Sequence, residues 1–116
     1  MTEALTLDAY QTGAKSTALY APDVRILYPA LKLAGEAGEV AEKLGKFMRD
    51  EGYRPGDALN EEQREKMVKE LGDVLWYVAN LAADLGVSLE HVAAVNLAKL
   101  QSRKARGVIG GSGDDR

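Results

Sequence analysis

Between Asn60 and Gly86 the chain carries a helical signal strong enough to dictate how the rest must fold. Asn60 followed by Gln63 matches a capping box, in which each residue's side chain satisfies the backbone N–H of the other, and Gly86 supplies a left-handed stop. Met67, Val68, Leu71, Val74, Leu75, Val78, Ala82 and Leu85 fall on one apolar arc at helical spacing. Glu70, Asp73, Tyr77, Asn80 and Asp84 form a polar stripe beside it. Such an arc has to be covered by other apolar faces, and the remaining segments offer them as helices.

The spacing of Leu7, Tyr10, Ala14 and Ala18 predicts a short, weakly amphipathic helix from Leu5 to about Leu19, with Thr6 as its N-cap. Pro22 and Pro29 punctuate the next stretch, so Tyr20 to Leu27 reads as a connector, Pro29 being tolerable only in the first turn of the next helix. That helix runs from near Leu27 to Asp50. It turns Leu33, Ala37, Val40, Ala41, Leu44 and Phe47 to the core, with Glu36, Glu39 and Lys43 at the edge of the arc. Gly52 to Leu59 is a loop. Ser88 caps a fourth helix that presents Val92, Ala93, Leu97 and Leu100 to the core and Asn96, Lys99, Arg103 and Arg106 on an adjacent face, before Gly107 stops it. No strand pattern, repeat or heptad array appears. The expectation is an all-α bundle of four to five helices, one domain over residues 1–107. The Gly-rich tail, residues 108–116, has too little apolar content to fold alone and is expected to be disordered.

A net charge of −3 and a pI near 5.2 give no basic field for gripping a nucleic-acid polymer. With no cysteine, disulfides, thiolate nucleophiles and thiolate metal sites are excluded. Met1 to Tyr10 lacks the basic and continuous apolar segments of a signal peptide, and no stretch reads as a membrane span, so a cytoplasmic protein without a membrane partner is expected.

Two of these helices each carry carboxylates three residues apart, Glu36 with Glu39 and Glu70 with Asp73. Positions i and i+3 share a face, with Cβ atoms about 5–6 Å apart, so each pair can close on one cation or one water. Packed together the helices would gather four acids, which repel and lose hydration unless their pKa values rise or a divalent cation holds them. Oxygen ligands without cysteine suit Mg²⁺ or Mn²⁺, and His91, the only histidine, lacks the Glu-x-x-His spacing of di-iron bundles. Such sites complete their shell with waters and substrate phosphates, and the Asn96, Lys99 and Arg103 stripe offers charge for a phosphorylated ligand. The plainer alternative is that the acids form a solvated face and the basic stripe an exposed helix end favoured by the macrodipole. Tyr77 shares the acid stripe and is the aromatic placed to touch a ligand, whereas His91 reads as structural. Lys43 is expected to screen Glu39, and the ligand's base to lie among Trp76, Tyr77, Asn80, Asp84 and Phe47 or Tyr53.

The run Leu33-Ala-Gly-Glu-Ala-Gly-Glu-Val-Ala-Glu42, then Glu70-Leu-Gly-Asp-Val-Leu-Trp-Tyr77, then Asn96-Leu-Ala-Lys-Leu-Gln-Ser-Arg103 resembles the MazG-like nucleotide pyrophosphohydrolases, in order and over about residues 27 to 107. The resemblance implies Mg²⁺-dependent hydrolysis of a nucleoside triphosphate to the monophosphate and pyrophosphate. It implies Glu36, Glu39, Glu70 and Asp73 as metal ligands, and Asn96, Lys99 and Arg103 as triphosphate contacts. It also implies a homodimer or homotetramer that completes each site from neighbouring helices. Glu39 is the residue assigned to orient the attacking water. Some members double the first acid, where this chain has Gly35, and the loop between the acid pairs is longer than in compact members. The alternative function is a non-catalytic nucleotide- or metal-binding helical module.

Overall fold

The computed structural model describes residues 3–116; Met1 and Thr2, where the expected domain begins, lie outside the described residues. Four α-helices occur in the order α1 Leu7–Ser16, α2 Leu27–Asp50, α3 Glu61–Asp84 and α4 Leu89–Ala105, with a single 3₁₀ turn at Pro22–Val24. No strand occurs among the described residues. The caps lie where the residue types place them. Thr6 accepts from Ala9 N at 3.0 Å, Ser88 accepts from His91 N at 3.0 Å, and the Asn60–Gln63 box closes with bonds of 2.8 and 3.0 Å. α1 is shorter than its periodicity suggests, because Thr17 hydrogen-bonds Ala14 O and ends the helix before Leu19.

α2 and α3 form an antiparallel hairpin, as three cross-links along it show. Ile26 N meets Asp84 at one end, Lys43 meets Glu70 midway, and Gln63 reaches Glu51 at the other end. α1 lies across the C-terminal half of α3, where Ala14, Ala79 and Leu89 form the buried core with Tyr10, Trp76 and Val78 around it. Gln11 stitches three elements by donating to Ala79 O and Val87 O and accepting from Leu89 N. The chain then turns by 100°, and α4 leaves the hairpin, resting on α1 and the end of α3.

This arrangement corrects the expected facing of the helices. Val68, Leu71, Leu75 and Leu85, half of the apolar arc of α3, are exposed, and so are Leu27, Leu31, Ala37 and Ala41 of α2. On α4, Val92, Leu97 and Leu100 are also exposed, against the expectation that they line the core. Most of the polar stripe of α3 is covered instead: Asn80 is fully buried, Glu70, Tyr77 and Asp84 are half-buried, and Asp73 is exposed. The radius of gyration is 17.2 Å, against about 13 Å for a compact chain near this length. One chain therefore leaves uncovered the side that the hydrophobic effect would most strongly bury. No single described helix is long and apolar enough to cross a membrane.

Candidate active site

The polar stripe of α3 meets the edge of α2, and there three carboxylates converge. One oxygen each from Glu36, Glu70 and Asp73 lie within 4.8 Å of one another. The i, i+3 spacing puts Glu70 and Asp73 on one face of α3, and the antiparallel register brings Glu36 opposite. Lys43 Nζ lies 3.0 Å from Glu70 Oε1, so the lysine pairs across the hairpin rather than with Glu39 on its own helix. Among the described residues neither Glu36 nor Asp73 has an ion-pair partner. Three acids sharing one lysine in a half-covered cleft fit the oxygen donor set of a hard divalent cation. Glu39 is exposed and does not join this trio.

Glu36, Asp73, Trp76 and Tyr77 line a cleft of about 320 Å³. Trp76 also borders a neighbouring hollow of about 510 Å³ walled by Thr17, Leu19, Tyr20, Ala21, Val24 and Tyr28. Four aromatic rings run in series along this surface: Tyr20 to Tyr28 at 5.1 Å between centroids, Tyr28 to Tyr77 at 6.3 Å, and Tyr77 to Trp76 at 4.8 Å edge-on. Trp76 Nε1 donates to Thr17 Oγ1 at 2.9 Å, which fixes the indole plane between the two cavities. Burial, the Tyr28 hydroxyl and the charges of Glu36 and Asp73 push the Tyr77 phenol up to about 12. Burial foremost, then the Asp73 charge, also raises Tyr10 on α1.

The connector before α2 is held by a single carboxylate oxygen. Asp84 Oδ2 accepts from the Tyr20 hydroxyl at 2.8 Å and from Ile26 N at 2.9 Å. Ile26 adopts φ 68° and ψ −58°, and Leu27 N bonds Arg25 O at 2.8 Å across it, a γ-turn of the rare hand. A β-branched residue held there stores about 1–3 kcal/mol, which the Asp84 bond offsets. Burial and then the bond to Asp84 push the Tyr20 phenol up to about 12.

The structure therefore brings Glu36, Glu70, Asp73, Trp76 and Tyr77 together and leaves Glu39, Asn96, Lys99 and Arg103 outside this cluster. Asn80 donates to Ala14 O and Trp76 O, joining α1 to α3, and Asp84 clasps the connector. Phe47 is buried near the far end of the hairpin, where its carbonyl receives Tyr53 N. The aromatic wall of Trp76 and Tyr77 is extended by Tyr20, read from the sequence as part of a connector, and Tyr28, read as part of the second helix. Their one signal was the clustering of tyrosines around Pro22 and Pro29. Asp73 lies eleven residues before Asp84 and Arg103 fourteen beyond Leu89, so with a 100° turn the backbone at Arg103 stands roughly 25 Å from that at Asp73 in one chain.

Among curated proteins, the Gene 37 protein of Mycobacterium phage L5 is 47% identical over 116 residues, covering 95% of this chain and 98% of the relative. The uncharacterized protein YvdC of Bacillus subtilis (strain 168) is 34% identical over 89 residues, covering 72% of this chain and 76% of the relative. No solved structure matches. Residues 29–108, which carry all three acids of the trio and the whole of α3 and α4, match the MazG nucleotide pyrophosphohydrolase domain, and the chain belongs to that family.

Proposed function

We propose that this protein is a Mg²⁺-dependent nucleoside triphosphate pyrophosphohydrolase, with Mn²⁺ as an alternative metal, that releases a nucleoside monophosphate and pyrophosphate from the cytoplasmic nucleotide pool. The observation that carries this reading is the convergence of Glu36, Glu70 and Asp73 on one point beside an aromatic cleft. These residues would hold the cation, and Lys43 would yield Glu70 as the metal binds. When bound, the cation supplies neutralisation of charge on the phosphate oxygens.

Glu39, one turn beyond Glu36 and outside the trio, is proposed to orient the water and take its proton. Water oxygen attacks the α-phosphorus, the bond from that phosphorus to the bridging oxygen breaks, and pyrophosphate leaves with the electron pair. Trp76, Tyr77 and Tyr28 offer faces against which a nucleobase stacks, with the Tyr20 side of the hollow closing over it.

The roughly 25 Å between the backbones of Arg103 and Asp73, and the departure of α4 from the hairpin, support a homodimer or homotetramer in which a neighbour's α4 delivers Asn96, Lys99 and Arg103 to the phosphates. The exposed apolar arc on α3 supports the same assembly. A panel of nucleoside triphosphates, assayed for pyrophosphate release with Mg²⁺ or Mn²⁺, tests the activity. Turnover of at least one nucleotide, lost on removal of the metal, is expected. Calorimetric nucleotide binding without hydrolysis would instead select a non-catalytic binding module.

A further inference from the structure

The C-terminal segment is ordered, and its contacts converge on the basic stripe of α4. Arg103 is almost wholly buried, and its Nη2 donates to Asp114 O at 2.7 Å and Gly113 O at 3.2 Å. The Asp114 carboxylate lies 3.2 Å from Lys99 Nζ and 3.5 Å from Arg103 Nη2. Arg116 folds back to donate to Val108 O, Ile109 O and Gly110 O, and Arg106 Nη2 donates to Arg116 O at 2.8 Å. Gly111 and Gly113 take φ values of 93° and 87°, which the reversal of the chain requires. Arg103 Nε is buried without an acceptor, so the guanidinium has hydrogen-bonding capacity that the segment does not use.

We propose that, in the free protein, the Asp114 carboxylate occupies the position on Lys99 and Arg103 that a phosphate group takes, so that the segment 108–116 regulates anion binding at α4 as an internal competitor. Asp114 reaches both cations yet is 84% exposed, and Lys99 beside it is 36% exposed, so the Lys99 side of the pair is open to an incoming ligand while the Arg103 guanidinium lies under the Gly113 and Asp114 carbonyls. Exposed ion pairs of this kind change an equilibrium by about fivefold at most. A phosphate group carries more charge and more acceptor oxygens than one carboxylate, so it displaces Asp114 from the same two cations. The segment is then a built-in competitor that weakens polyphosphate binding until ligand concentration overcomes it. The competition by Asp114 rests on the function proposed above, in which Lys99 and Arg103 meet the phosphates, and it is read by anion binding rather than by turnover.

The test is calorimetric titration of inorganic tripolyphosphate, without divalent metal, into the full chain and three variants. Asp114→Asn is expected to bind about fivefold more tightly than wild type. Asp115→Asn, which removes the same charge next door, is expected to stay close to wild type, and Lys99→Gln to lose most of the binding. Equal tightening in both aspartate variants would make the effect a general field and overturn the site. Unchanged or weaker binding in Asp114→Asn would overturn the competition, and lost amide-exchange protection over 108–116 in that variant would identify Asp114 as a structural tether. Nucleotide turnover by the wild type is read separately, so its failure would leave the outcome of this titration interpretable.

Discussion

At the α2–α3 hairpin three carboxylates share one lysine, whereas at the end of α4 a lysine and a buried arginine share one aspartate and a set of backbone carbonyls. The acid end has an excess of charge that the chain does not neutralise. The basic end largely satisfies itself from the C-terminal segment. The difference is one of energetics: a cation arriving at the acids relieves repulsion already present, while an anion arriving at α4 must first replace an internal one. Binding at the first end should therefore stabilise the protein strongly. Binding at the second should be weaker and more salt-sensitive, since the Asp114 carboxylate that closes its ion pairs is exposed.

This contrast would fail most visibly at Glu70. Glu70→Gln should lower turnover by more than the ~100-fold that loss of an outer-shell partner brings, with helical content by circular dichroism unchanged, because the helix and its apolar arc are untouched. Turnover close to wild type would remove Glu70 from the site. Next is the wild-type response to metal. Mg²⁺ or Mn²⁺ at a hundredfold excess over its Kd should raise unfolding free energy by about 2.7 kcal/mol, seen as a higher Tm, and the gain should vanish in Glu70→Gln.

Between the two ends, Asp84→Ala removes both bonds that hold the connector and should cost about 2–3 kcal/mol of stability in denaturant melts. It should also raise KM more than it lowers kcat, since Tyr20 and Tyr28 wall the hollow and not the acid trio. The smallest effect is in alkaline titration. Tyr20 and Tyr77 are both raised from 10.0 to about 12, so the stability they contribute is intact below pH 10 and declines as pH rises toward 12. Tyr20→Phe should remove one late-titrating phenol from the ultraviolet tyrosinate curve and leave that of Tyr77.

Much of this molecule was legible locally. Thr6, Asn60 with Gln63, and Ser88 act on backbone groups within three residues, so the sequence alone identifies them as caps. The acid pairs were legible for the same reason, since i, i+3 spacing fixes a shared face. What escaped was the choice of partner across elements. Lys43 can reach Glu39 along its helix or Glu70 across the hairpin, and only the register of α2 against α3 decides for Glu70.

The facing of α3 escaped for a related reason. An apolar arc specifies that something covers Val68, Leu71 and Leu75, but not that the cover belongs to the same chain. The segment 108–116 read as disordered because its order comes from guanidinium–carbonyl bonds rather than apolar burial. Hydropathy carries no trace of those bonds. Tyr20 was hidden because its place in the wall depends on Asp84, which lies 64 residues from it along the chain.

Whether the three carboxylates hold the catalytic metal is decided by an anomalous-difference map from crystals grown with Mn²⁺ and a non-hydrolysable nucleoside triphosphate. The expected map has a metal peak bonded to oxygens of Glu36, Glu70 and Asp73, with Lys43 drawn away from Glu70 and the phosphates completing the coordination shell. Nucleotide bound elsewhere, with the three carboxylates free of metal and Lys43 still on Glu70, would contradict it.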